Sequence, residues 1–169
     1  MRAGPRRFRT EAAMPHVQDV AAYILERCGA MTAMKLQKLC YYSYGYHLAW
    51  EERSLFPERF EAWANGPVCP ESYQLHRGRL QLVPGDIPGK PTSLDPGERE
   101  SVNLVLDAYG DLTAHQLSTM THRAGPWVTA RARAGVAPLE RSNERLDDDE
   151  IFEFFDAITS ADAADGRQG

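Results

Sequence analysis

The chain has 169 residues, 43% hydrophobic and 25% charged, with a formal net charge of −5. That length suits a single domain with a core of its own, and the acidic balance gives no global pull toward nucleic acid or an anionic membrane. No apolar run approaches the ~18 residues of a membrane span, and the basic N-terminus lacks the apolar stretch of a secretory signal.

Residues 1–9 hold Arg2, Arg6, Arg7 and Arg9 and no acid, and 1–13 is expected to be a disordered extension, with Met14 as an alternative start. Val17, Val20, Ala21, Ile24, Leu25 and Cys28 fall on one face of a helix over 16–28, with Gly29 placed to stop it. Thr32 is placed to cap a second helix that runs to about residue 52. Leu36, Leu39, Cys40, Ser43, His47 and Trp50 form its stripe, but Tyr41, Tyr42, Tyr44, Tyr46 and Leu48 spread apolar surface around the circumference. A helix apolar all round belongs at the centre of a bundle. Only Lys35, Gln37 and Lys38, at its start, stay polar.

Residues 55–63 alternate aromatic and charged side chains, which predicts one extended segment, and Asn65-Gly66-Pro67 predicts its break. Pro70 suits the first turn of a helix over 70–77. Pro84, Gly85, Pro88, Gly89 and Pro91 make 78–96 a loop, with room for a short strand at 80–83. Asp95-Pro96-Gly97-Glu98 opens a helix whose face is Val102, Val105, Leu106 and Tyr109. Thr113 and Gln116 make a second capping box, for a helix over 114–123. Gly125-Pro126-Trp127 ends it, with at most one more turn over 127–133, and 135–143 is loop. Asp147 to Glu150 cap a last helix with Ile151, Phe154, Phe155 and Ile158 inward, and 161–169 is expected to be a disordered tail. Residues 140–165 carry ten acids against Arg141 and Arg145, a local balance of −8: either a solvated acidic helix or a landing place for a basic partner. The expectation is a mainly α domain over 14–160, a single compact unit of about six helices with at most a small β-hairpin or short sheet.

Signatures of chemistry are sparse. Cys28, Cys40 and Cys69 are odd in number, widely spaced and set among apolar residues, which speaks against a disulfide framework and suits a reducing cytoplasm. His115 and His122 are seven residues apart, roughly 10 Å along a helix and too far for one ion. Cys40 and His47 share that spacing, so no nucleophilic pair is expected within one helix. Asp147-Asp148-Asp149-Glu150 lacks the alternating ligands and central glycine of a calcium loop and suits a helix N-terminus instead. No phosphate-binding glycine loop is present. Neither metal nor cofactor is expected. His122-Arg123-Ala124-Gly125-Pro126-Trp127 admits two readings: a pocket walled by the Trp, or, as favoured here, a Trp plugging the core beside a His bound to a backbone carbonyl. The four tyrosines of residues 41–46 suggest base stacking on single-stranded nucleic acid, but helical spacing turns them in four directions, which favours core packing.

Two blocks carry a family resemblance. The first is Met34-Lys-Leu-Gln-Lys-Leu, Tyr41-Tyr42 and Gly45-Tyr-His-Leu-Ala. The second is Glu61-Ala-Trp, Gly66-Pro-Val, Pro70-Glu and Tyr73. Thr121-His-Arg and Pro126-Trp add weaker support. In order and spacing these resemble the Panacea domain, the SocA-like and phage-associated antitoxin family, over roughly 17–158. Cys40 stands where an aliphatic residue is commoner in that family. The resemblance implies a cytoplasmic, non-enzymatic antitoxin that neutralises a cognate protein toxin, typically encoded by the adjacent gene, by direct binding. Some relatives are adaptors that deliver a partner to a cytosolic ATP-dependent protease, and others are phage-encoded proteins that act on a host. These stand as the alternatives. No membrane or nucleic-acid partner is implied. Candidate partner-binding positions carried over from the motifs are Lys35, Gln37, Lys38, Tyr41 and Tyr42 on the central helix and Trp63, Gly66, Pro67 and Glu71 around the turn, with His122 and Trp127 behind them.

Overall fold

Thr32, Asp95 and Thr113 each accept a hydrogen bond from the backbone N–H three residues on, at 3.1, 2.8 and 3.1 Å. Each satisfies an N–H that the first helical turn leaves without a partner. At Asp95 and Thr113 the reciprocal bond is also made, from Glu98 and Gln116 back to the cap. The computed structural model describes residues 14–168, with side chains as far as 162. The extension expected over 1–13 lies outside the described residues.

The elements in order are α1 (Val17–Cys28), β1 (Met31–Thr32), α2 (Ala33–Glu51), β2 (Glu61–Trp63), β3 (Gly66–Val68), α3 (Pro70–His76), β4 (Gln81–Leu82), a 3-10 turn (Pro91–Ser93), α4 (Pro96–Tyr109), α5 (Ala114–Arg123), α6 (Pro126–Ala134) and α7 (Asp148–Gln168). The fold is mainly α, with seven α-helices among the described residues where the sequence suggests about six. Pro126 opens α6 as a full helix, because its fixed φ and missing N–H suit the first turn. The backbone of α7 stays helical to Gln168, past the end expected near residue 160.

Helix α2 is the axis of the molecule. Every residue from Leu36 to Leu48 is buried, and α1, α4, α5 and α7 pack around it. Its tyrosines all go inward. Tyr41 meets Phe60 and Phe155 edge-on, Tyr42 stacks on Tyr109 with ring centres 4.9 Å apart, Tyr44 packs on Phe56 and Phe60, and Tyr46 meets Phe155. Base stacking is thereby excluded, since no free ring face is presented. Cys40 and Cys69 are also buried, but Cys28 is exposed at the end of α1, contrary to its apolar surroundings in sequence.

Two small antiparallel sheets complete the fold. β1 pairs with β4, Met31 opposite Leu82 and Thr32 opposite Gln81. β2 pairs with β3, Ala62 opposite Pro67 and Trp63 opposite Gly66. Gly66-Pro67 is therefore the second strand of a hairpin, and Ala64-Asn65 is the turn. A proline is tolerated there because Ala62 directs its polar groups away from β3. Its N–H donates to the Glu144 carbonyl at 2.8 Å and its carbonyl accepts from Arg131 at 2.9 Å, so the missing Pro67 N–H costs no ladder bond. The Leu146 N–H donates in turn to the Phe60 carbonyl at 3.0 Å. Residues 144–146 thus cover the free edge of β2. Buried Arg131 also donates to the carbonyls of Ala137 at 2.9 Å and Glu140 at 2.7 Å, tying the 135–143 loop to the hairpin.

Candidate functional site

A cleft of about 1100 Å³ opens where the start of α2 meets the hairpin, α3 and residues 141–143. Gln37 and Lys38 sit at its base. Trp63 and Tyr73 form an aromatic wall, ring centres 4.9 Å apart and edge to face. Met34 and Leu80, 41% and 87% exposed, supply apolar surface, and Arg77 and Arg141 stand exposed at the rim.

Gln37 is 3% exposed and fully used. Its Oε1 accepts from the Cys69 N–H at 3.0 Å. Its Nε2 donates to Ser72 Oγ at 2.8 Å and lies 2.9 Å from His76 Nε2. This network fixes α3 against α2, and burial lowers the affinity of His76 for a proton. Lys38 is 1% exposed, and its Nζ donates to the Pro67 carbonyl at 2.9 Å. Burial without a counter-charge pushes its pKa down to about 7, since desolvation penalises the ammonium form. The lysine stem runs against Gly66, where an added Cβ would stand 2.5 Å from Lys38 Cε, and Gly66 has φ of +127°. Only glycine meets both conditions.

The remaining candidates scatter around this site. Lys35 donates from Nζ to the Gly110 carbonyl at 2.6 Å and ties α2 to the end of α4. Tyr41 and Tyr42 lie in the core. Gly66 and Pro67 are buried in β3 behind the cleft. Glu71 is exposed and accepts from the Cys69 thiol at 3.4 Å. His122 and Trp127 form a second group behind the hairpin, stacked at 4.1 Å. Trp127 Nε1 donates to the Trp63 carbonyl at 2.7 Å, and the Arg131 guanidinium lies 5.1 Å from its ring centre. Partial burial and the charges of Lys38 and Arg131 lower the pKa of His122. The structure brings Gln37, Lys38 and Trp63 together and adds Met34, Tyr73, Leu80, Arg77 and Arg141. Tyr73 and His76, spaced i and i+3 on one face of α3, carry a local signal in the sequence. Arg77 and Arg141 carry none.

The thiol of Cys69 is pushed up to about 12 by burial, and that of Cys40 higher still by the same cause. Both are therefore protonated at neutral pH and poor nucleophiles. Among the described residues no group of three or more His, Cys, Asp or Glu side chains is placed to hold a metal ion. Nor, among the described residues, is any helix long and apolar enough to cross a membrane.

Comparison with known proteins places these residues in a family. Residues 36–128 match the family described as antitoxin SocA-like, Panacea domain. The chain is 30% identical over 124 residues to Antitoxin SocA of Caulobacter vibrioides (strain NA1000 / CB15N), an alignment covering 64% of this chain and 66% of that protein, just under two thirds of its length. No solved structure matches. The matched segment runs from α2 through the hairpin, α3, α4 and α5 into α6, and so builds the base and the aromatic wall of the cleft. This chain belongs to the SocA-like, Panacea-domain antitoxin family.

Proposed function

We propose that this protein is an antitoxin that neutralises a cognate protein toxin by binding it directly, and that the toxin docks in the cleft between α2, the hairpin and α3. One observation carries the reading: the segment that defines the family membership also builds most of the cleft. The surface has the makings of a protein interface. Trp63 and Tyr73 offer aromatic anchors, arginines stand at the rim, and Met34 and Leu80 present exposed apolar surface. Inhibition is by occlusion: a toxin segment held in the cleft is withheld from its target. The antitoxin contributes no catalytic step, and the partner is encoded beside it and met in the cytoplasm.

The test is bacterial growth with the neighbouring reading frame expressed alone, with this chain, and with its Leu80→Asp variant. Leu80 is exposed, so the substitution leaves the fold intact. The expected outcome is arrest by the neighbour, relief and co-purification with the wild type, and failure of both with Leu80→Asp. Relief with loss of the toxin from the cell, dependent on a cytosolic protease, would identify the adaptor mechanism instead. Absence of toxicity from either neighbour would overturn the antitoxin reading.

A further inference from the structure

We propose that the occupant of the cleft is an acidic, partly apolar, extended segment of the partner protein, with its carboxylates paired to the exposed rim arginines Arg77 and Arg141. This rests on the docking site proposed above and gives the partner its chemistry.

The first argument is charge. The chain is acidic overall, at −5, yet among the described residues the cleft is lined by Lys38, Arg77, Arg79 and Arg141 against a single carboxylate, Glu61. Glu61 is already engaged, accepting from Trp63 Nε1 at 2.8 Å. The second is pairing. Elsewhere several basic side chains pair with acids, Arg53 with Asp95, Arg59 with Asp148 and Arg133 with Glu144 and Glu150, while others, Lys35 and Arg131, are held by backbone carbonyls. Within the cleft Arg79 pairs with Asp86 at 3.1 Å, but no carboxylate of the described residues pairs with Lys38, Arg77 or Arg141. Arg77 and Arg141 are exposed, so ligand carboxylates can reach them and supply the missing counter-charge. The third is shape. Exposed Met34 and Leu80 line the cleft together with the basic positions and the rings of Trp63 and Tyr73, so the lining combines apolar and cationic character, which suits an acidic and apolar chain. Among the described residues the chain's own acids do not fill it. Its acidic helix α7 packs against the opposite part of α2, through Phe155 on Tyr41, Tyr42 and Tyr46.

Fluorescence anisotropy on the full chain at low salt tests this with four labelled probes: a peptide alternating Glu and Leu, its Gln–Leu and Lys–Leu counterparts, and oligothymidylate. The Glu–Leu peptide should bind roughly tenfold or more tightly than the Gln–Leu peptide. The Arg77→Glu/Arg141→Glu variant, altered at two exposed positions, should lose the Glu–Leu peptide and gain the Lys–Leu peptide, a reversal that misfolding cannot produce. Equal binding of the Glu–Leu and Gln–Leu peptides overturns the proposal. So does preferential binding of oligothymidylate, which would make the ligand a nucleic acid. A self-associated species that excludes the peptide and is dissolved by the Arg77→Glu/Arg141→Glu variant would make the occupant a second copy, and would equally overturn it. No toxin enters this assay. Lost peptide discrimination with intact neutralisation therefore sinks only this inference, while intact discrimination without neutralisation sinks the antitoxin function.

Discussion

The ring of Phe155 on α7 occupies the place where a side chain on Gly45 of α2 would begin; a Cβ built there would lie well inside van der Waals contact with three of its ring carbons. The axial helix and the last helix therefore meet backbone to ring, and Phe155 inserts among Tyr41, Tyr42 and Tyr46. Gly45→Ala should destabilise the fold by about 1–3 kcal/mol through overpacking, despite the gain in helix propensity that alanine brings. Adding Phe155→Leu to Gly45→Ala should recover part of the loss. Urea midpoints of the two singles and the double check this. Simple additivity would show that the two residues do not compete for that space.

Lys38 makes the fold sensitive to pH in the alkaline range. Its folded pKa is about 7, lowered by burial from the ordinary 10.5. Between those values the unfolded chain holds a proton that the folded chain lacks, so this residue's contribution to stability rises with pH from 7 to 10.5 and is lost as pH falls back to 7. Lys38→Met removes the titration. It should be more stable than wild type near neutral pH, even though the Pro67 carbonyl loses its donor. Its advantage should shrink by roughly 1.4 kcal/mol per pH unit above 7. The raised thiols and phenols of the core pull in the opposite direction in both proteins, so the difference between the two denaturation series isolates the lysine. A pH-independent difference would refute the assignment.

His47 acts on the acid side. It is fully buried, with Nδ1 2.8 Å from Ser101 Oγ. Burial first, and then the charge of Arg53, lower its pKa to about 4, against an upward pull from Asp95. The unfolded chain takes up a proton near 6.5 that the folded chain refuses until about 4, so stability falls as pH drops through that window, by about 3 kcal/mol at full depth. His47→Gln keeps a hydrogen-bonding side chain but cannot titrate. It should be less stable near neutrality and lose less on acidification than wild type. Parallel losses in chemical denaturation would remove His47 from the explanation.

Gln37 joins three buried groups of the α3 region to α2. Gln37→Leu keeps the volume but strands the Cys69 N–H, takes its partner from His76 and leaves Ser72 only its bond to the Cys69 carbonyl, which should cost about 2–3 kcal/mol. Hydrogen exchange should show the loss as early opening of α3, with protection retained in α4 and α7. Uniform loss of protection would mean that α3 does not open as a separate unit.

What could be read from the sequence follows the range of the forces involved. Thr32, Asp95 with Glu98, and Thr113 with Gln116 announce their helices because cap and N–H lie within four residues of each other. The aromatic circumference of residues 41–48 announces a central helix. Gln37 and Lys38 are another matter. They look like the wet start of that helix, yet both are buried, because Pro67, Cys69, Ser72 and His76 arrive from distant segments to satisfy them. Gly66-Pro67 looks like a break and is a strand, because Ala62 spends its hydrogen bonds on Glu144 and Arg131. The motif positions locate one wall of the cleft through Gln37, Lys38 and Trp63. They do not find Arg77 or Arg141, since lone arginines in a helix end and a loop carry no periodicity.

Arg131 bonds to the carbonyls of Ala62, Ala137 and Glu140, and so settles the approach to the Arg141 rim before any visitor arrives. A loop already frozen in place surrenders little chain entropy on association. Encounter with a partner is then limited by collision and orientation rather than by ordering of the rim, and differences in affinity among partners will be written mainly in how slowly they leave.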